Sequence, residues 1–300
     1  MAGPYTTPET GTTPRSGATI GALLARGTTR LRESGGSSPE LDAELLLAHS
    51  LSVSRTHLKT HPEATPSQDA STRYAEFIGR RANGEPIAYI VGYRDFWTLR
   101  LAVGPAVLVP RPETELLVER ALALGPKGSA HLVDLGTGSG AVALAIASER
   151  PEWSVSATDI SPAALSVARG NAQALGLTQV EFIQGDWFEP LSGRQFDLIV
   201  SNPPYVAATD PALQDPVLKR EPRIALTPGY IEDDEQGLAC LRAIISSAPR
   251  YLKRRGWLLL EHGADQAEAL VSELVNRGFS HVRSHPDLAG HLRMTEAELQ

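Results

Sequence analysis

The chain of 300 residues holds a single cysteine, Cys240. An intramolecular disulfide is therefore excluded, and the composition suits a reducing compartment. No apolar run approaches the length that crosses a bilayer, and no charged start leads into the apolar stretch of a secretory leader. The expected setting is the cytoplasm, with no membrane partner. Positive charge is the scarcer sign: 28 Lys and Arg stand against 35 Asp and Glu, a net charge of −7. A general nucleic-acid binder usually carries a basic face, so no direct nucleic-acid partner is expected. The histidines lack metal-ligand spacing, and no metal is expected. There is no Walker Gly-Lys-Ser/Thr and no Gly-x-Ser-x-Gly elbow, which disfavours an NTPase and a serine hydrolase of that type.

What is present is ample core material, at 42% hydrophobic residues, and a change of pattern along the chain. Residues 1–17 are rich in Thr, Pro and Gly without periodicity and read as a disordered tail. Residues 18–84 read as a small helical domain. "TIGALLARGTTRLRESG", "SPELDAELLLAHSL" and "SQDASTRYAEFIGRRANG" each show helical spacing, a cap or a Gly stop. Residues 85–125 read as a linker: a hairpin over Ala88–Pro110, then a helix from about Pro112 to Gly125. From residue 126 to 300, short apolar strands alternate with helices: "HLVDLG", "WSVSATD", "VEFIQGD", "FDLIVSN" and "WLLLEHG" are the strands. "YLKRRG", Tyr251–Gly256, reads as a basic helix end before the last of these. Such alternation specifies an α/β domain, a doubly wound and mostly parallel sheet with helices on both faces. Ligands then bind beyond the carboxyl ends of the strands.

The strand ends carry the informative residues. "LVDLGTGSG" places Gly136, Gly138 and Gly140 between a strand and a helix, where backbone N–H groups can meet an anion. The spacing is Gly-x-Gly-x-Gly, not the dinucleotide Gly-x-Gly-x-x-Gly. Asp159 ends the next strand, where a carboxylate can accept both ribose hydroxyls. The third strand ends in Gly185-Asp186-Trp187-Phe188: an acceptor for an exocyclic amine and a flat face for adenine. Together these describe an adenosine pocket and favour S-adenosylmethionine.

The fourth strand ends in Ser201-Asn202-Pro203-Pro204-Tyr205. Two prolines stop the strand and stiffen the corner. Beside an activated methyl group, the Asn202 oxygen and the Pro203 carbonyl would grip both N–H protons of a poorly nucleophilic planar nitrogen, and Tyr205 would pack on its flat face. The loop by itself leaves the acceptor open: glutamine amide, or an adenine, guanine or cytosine amine.

Further segments narrow this. "GEPIAYIVGYRDFW" at Gly84–Trp97, "VPRPETE" at Val109–Glu115, "EPRIAL" at Glu221–Leu226, "LLLEHG" at Leu258–Gly263 and "DLAGHLR" at Asp287–Arg293 accompany the motifs above. With them the sequence resembles the peptide chain release factor glutamine methyltransferases, the HemK/PrmC family, over nearly the whole chain after the tail. The resemblance implies a Rossmann-like class I methyltransferase domain behind a helical substrate-docking domain and a hairpin linker. It implies methyl transfer from S-adenosyl-L-methionine to the glutamine amide of the Gly-Gly-Gln motif of release factors, the protein partners. On that basis the cofactor residues are Asp134, Gly136, Thr137, Gly138, Gly140, Asp159, Ile160, Asp186, Trp187 and Asn202. The catalytic residues are Asn202, Pro203 and Tyr205, and Pro204, Arg111 and Glu113 join them in holding the substrate. The long stretch between Tyr205 and Trp257, with Glu221-Pro222-Arg223 and the acidic Asp233-Asp234-Glu235, reads as a substrate-side insertion. Two rivals remain at this point: a nucleic-acid amino-methyltransferase and a non-catalytic adenosylmethionine-binding module.

Overall fold

The computed structural model describes residues 17–228 and 234–300. The tail of residues 1–16 lies outside the described residues, as does Asp233 of the acidic run. The chain divides into two compact units, one up to Ile87 and one over Ala88–Gln300.

In the first unit α1 (Ile20–Glu33), α2 (Pro39–Leu51) and α4 (Gln68–Ala82) pack together, with a short α3 (Arg55–Thr60) beside α2. Their inner faces bury Leu23, Leu31, Leu46, Leu47, Tyr74 and Ile78. Asp42 and Arg81 form a largely buried ion pair at 2.7 Å between α2 and α4. The short α3 is not legible from apolar spacing; it depends on Ser54, whose side chain caps the His57 amide.

Residues 88–110 differ from the hairpin expected there. α5 (Ile87–Val91) follows Pro86, a favoured opening for a helical turn, and ends at Gly92 with φ +85°. The hairpin is only β1 (Tyr93–Phe96) and β2 (Leu99–Ala102), paired antiparallel. α6 (Glu115–Leu124) follows a 3-10 turn at Pro112–Thr114.

The remaining elements are β3 (His131–Leu135), α7 (Ala141–Glu149), β4 (Ser154–Asp159), α8 (Pro162–Leu175), β5 (Glu181–Gln184), β6 (Phe196–Ser201), α9 (Ala239–Ser247), β7 (Leu252–Glu261), α10 (Ala267–Asn276), β8 (Phe279–Pro286) and β9 (Leu292–Leu299). The sheet runs β5-β4-β3-β6-β7-β9-β8. β5, β4, β3, β6 and β7 are parallel, and β9 lies antiparallel to both neighbours. The order reverses at β3 and β6, the switch point where a doubly wound sheet opens a crevice. One apolar layer is built on α6 and α7, the other on α9 and α10.

One reading is corrected here. Tyr251–Gly256 is not a helix end: Leu252 already pairs with Phe196 in β7, and the ladder then slips before resuming at Leu198–Trp257. The extra residues bulge outward with Arg255 at φ +63°, and Lys253 turns to Asp197 at 2.7 Å. The closing segment after Gly278 forms two antiparallel strands, whose turn is held by the Asp287 carboxylate accepting the Ala289 and His291 amides. Among the described residues no helix is long and apolar enough to cross a membrane.

Candidate active site

The carboxyl ends of β3, β4, β5 and β6 meet around a cavity of about 500 Å³. Its floor is the turn from β3 into α7. Gly136 and Thr137 both donate their N–H groups to the Thr158 carbonyl at 2.9 Å, which folds the loop back onto β4. Asp159 completes the clasp: Oδ2 accepts the Gly138 amide at 2.9 Å and Oδ1 accepts the Ser161 amide at 2.8 Å. Each oxygen keeps a second lone pair. Burial pushes the Asp159 carboxyl up, while these two N–H groups pull it back. Asp134 is 2% exposed. Its Oδ2 accepts the Thr137 hydroxyl at 2.6 Å and the Ala143 amide at 3.3 Å. Burial, opposed by these bonds and reinforced by the charge of Asp159, pushes Asp134 up to about 7.

Trp187 closes one side. Its backbone takes φ +43°, and its carbonyl accepts the Thr158 hydroxyl at 3.1 Å. The indole edge lies over Gly136, itself at φ +71°; a Cβ there would come within 3.2 Å of the ring. The glycine thus permits both the turn and the close approach of the indole.

The loop after β6 is fastened at several points. Ser201 donates to the Leu135 carbonyl at 2.7 Å, locking β6 to β3. Asn202 donates through Nδ2 to Thr114 Oγ1 at 3.1 Å. The Tyr205 hydroxyl donates to Glu261 Oε1 at 3.1 Å, and burial first, then Glu261, raises its pKa, so the phenol remains a donor. Gln266 Nε2 donates to the Tyr205 carbonyl at 2.9 Å and to the Gln236 carbonyl at 2.6 Å. Gly237, at φ +67°, passes so near that a Cβ would lie 2.2 Å from the Tyr205 carbonyl oxygen.

Eleven of the residues named from sequence line the cavity: Arg111, Asp134, Gly136, Thr137, Gly138, Asp159, Ile160, Asp186, Trp187, Asn202 and Pro204. Four do not. Gly140 is the N-cap of α7, Pro203 is buried, Tyr205 turns toward Glu261, and Glu113 is exposed. Arg111 Nη2 contacts both oxygens of the buried Glu221 at 2.8 Å, tying the 3-10 turn before α6 to the segment after Tyr205. In that segment Asp234 has a local role, accepting the Leu238 and Ala239 amides at the start of α9. Thr114, Glu261 and Gln266 were missed by sequence reasoning. The one available signal was Glu261, a carboxylate ending the apolar run Trp257–Leu260 on a strand of a parallel sheet.

Residues 22–92 match the family described as PrmC N-terminal domain, and residues 112–229 match the family described as Methyltransferase small domain. A Vibrio cholerae protein named release factor glutamine methyltransferase is 44% identical over 278 residues, 92% of this chain and 96% of its own length. A Pseudomonas aeruginosa protein of the same name is 48% identical over 258 residues, 86% of this chain and 92% of its own. The chain belongs to the release factor glutamine methyltransferase family. Solved structures share the fold at much lower identity. A Pyrococcus furiosus methyltransferase is 18% identical with a TM-score of 0.51, covering 76% of this chain and 98% of its own. A T. thermophilus 16S rRNA methyltransferase in complex with AdoMet and guanosine is 20% identical with a TM-score of 0.50, covering 69% of this chain and 50% of its own. The chain thus places its motif loops on a class I methyltransferase sheet.

Proposed function

We propose that this chain transfers a methyl group from S-adenosyl-L-methionine to the side-chain amide nitrogen of the Gly-Gly-Gln glutamine of peptide chain release factors. The observation that carries the reading is that Asn202 and Pro204, from the proline corner after β6, line the glycine-loop cavity in a chain that belongs to this family. The helical part, residues 18–84, is assigned to docking the protein substrate. The hairpin and helix of 85–125 serve as linker, and 126–300 as the methyltransferase domain. Direct nucleic-acid binding is not part of the proposal, and the cytoplasm is the setting assigned.

The residues present fit the cofactor. Two carboxylates, Asp134 and Asp159, suit a cationic ligand bearing ribose hydroxyls, and nothing lies within 4 Å of where a Cβ on Gly138 would stand, so a ligand can approach the backbone closely there. Asp159 would hold the ribose, Ile160 and Trp187 the adenine faces, Asp186 its amine, and Thr137, Gly138 and the start of α7 the amino-acid end. When bound, the cofactor supplies an electrophilic methyl group. The rest of the chemistry belongs to the chain. Asn202 Oδ1 and the Pro203 carbonyl accept the two N–H groups of the glutamine, turn its nitrogen lone pair toward the methyl carbon, and hold those protons more strongly as they acidify. Tyr205 and Pro204 stiffen the wall on which the amide lies, and Arg111 and Glu113 lie on the segment assigned to closing the site. The nitrogen would form the new bond to the methyl carbon as the carbon–sulfur bond breaks and leaves its electron pair on sulfur, and the nitrogen would then give up one proton to water. Most of the acceleration is alignment of two bound reactants.

The test is transfer of labelled methyl to purified release factor, to a factor whose Gly-Gly-Gln glutamine is alanine, and to RNA and DNA. Label is expected only in the first. Label confined to nucleic acid would overturn the reading.

Cofactor binding is also expected to depend on pH. Asp134 titrates at about 7 in the folded protein, and a cation favours its ionised form. Below that point binding must first expel the proton, so affinity falls as pH drops through 7 and is flat above it. Calorimetry is expected to show roughly tenfold weaker binding near pH 6 than near pH 8. Asp134→Asn should abolish the difference.

A further inference from the structure

Asn202 can serve as an acceptor only if its amide presents oxygen, not NH₂, to the cavity. The hydroxyl of Thr114 alone does not dictate this, because a hydroxyl both donates and accepts. Thr114 is buried, and its Oγ1 takes the Asn202 Nδ2–H at 3.1 Å. Its own proton therefore needs another acceptor. Glu261, at the end of β7, is 2% exposed and faces both the Tyr205 hydroxyl and the Thr114 side chain. Its Oε2 has no partner in full hydrogen-bond geometry among the described residues. Burial pushes the Glu261 carboxyl up to about 7, and hydrogen bonding from Thr114 and then from Tyr205 pulls it back, so the Thr114 hydroxyl lies within reach of this carboxylate.

We propose that Thr114 and Glu261 are positioning residues that set the polarity of the Asn202 amide. In its ionised form Glu261 can only accept. It draws the Thr114 O–H toward itself and leaves the Thr114 lone pair for the Asn202 NH₂ group. The Asn202 oxygen is then the end that faces the substrate nitrogen. The same carboxylate accepts the Tyr205 hydroxyl, so one buried group aligns both ends of the loop. Without the Thr114 hydroxyl, nothing in this chain of bonds distinguishes the two ends of the amide, and a flipped Asn202 would point donors at donors. This rests on the reading that Asn202 grips the glutamine N–H groups.

The test uses the full chain and a release factor substrate, comparing Thr114→Val, Thr114→Ser and Glu261→Gln. Valine keeps the shape and removes the hydroxyl; serine restores it. Thr114→Val is expected to lower kcat by about tenfold or more, with adenosylmethionine affinity by calorimetry unchanged, and Thr114→Ser to recover most of it. Glu261→Gln, which can donate where the carboxylate accepts, is expected to lower kcat in the same way with cofactor affinity retained. Wild-type kcat in Thr114→Val, or a serine variant as slow as valine, overturns the inference. If Thr114→Val also loses the cofactor, Glu261→Gln decides: a fall in kcat with cofactor binding kept supports the inference, and an unchanged kcat overturns it. A wild-type enzyme that places no label on the glutamine would instead overturn the proposed reaction itself.

Discussion

Asn202→Ala is expected to reduce methyl transfer by roughly a thousandfold, while adenosylmethionine still binds with affinity near wild type. The substitution removes one of two acceptors aimed at the substrate nitrogen. A backbone carbonyl, that of Pro203, is the other, and it cannot grip two N–H groups alone. The loss falls on kcat because these bonds strengthen as the N–H groups acidify in the transition state. The loop itself should survive. Ser201 is bonded to Leu135, Tyr205 is held by Glu261 and Gln266, and Val206 is bonded to Leu226, none through Asn202. Single-turnover transfer measured beside calorimetry checks both halves. Loss of both transfer and binding would make Asn202 a structural residue, and full transfer would mean that Asn202 does not grip the substrate nitrogen.

The second large effect is on binding. Asp159→Asn is expected to weaken adenosylmethionine by roughly a hundredfold, though the change conserves size. Both carboxylate oxygens already accept a backbone amide, Gly138 on one and Ser161 on the other. Asparagine offers one acceptor and turns an NH₂ group toward the second N–H. Either the glycine loop or the start of α8 then loses its clasp, and one ribose acceptor goes with it. The negative charge opposite a cationic ligand is also gone. Titration of the variant with cofactor reads this directly, and Asp159→Ala should be at least as weak. Affinity within twofold of wild type would mean that the ribose is held elsewhere.

The chemistry of the strand ends was legible in sequence because it is local. Gly136 and Gly138, Asp159, Asp186-Trp187 and Asn202-Pro203-Pro204-Tyr205 each follow an apolar strand, and a doubly wound sheet gathers such ends on one edge. The support behind them was not legible. Thr114 reaches Asn202 across 88 positions, Tyr205 reaches Glu261 across 56, and Arg111 reaches Glu221 across 110. No periodicity encodes pairings of that kind. The hairpin was read too long because α5 is as apolar as a strand, and only one turn of backbone bonding distinguishes it.

By itself, then, the sequence determined the strand-and-helix alternation, the glycine turn and the proline corner, since these follow from backbone restrictions that glycine and proline impose wherever they stand. It also determined the family, through segments spread along the chain. Only the tertiary structure decided which end of the Asn202 amide faces the cavity. That choice depends on an uncharged hydroxyl and a buried carboxylate from two other elements, Thr114 before α6 and Glu261 at the end of β7, brought together by packing. A hydrogen bond's direction is a property of the whole connected network, and no single segment contains it.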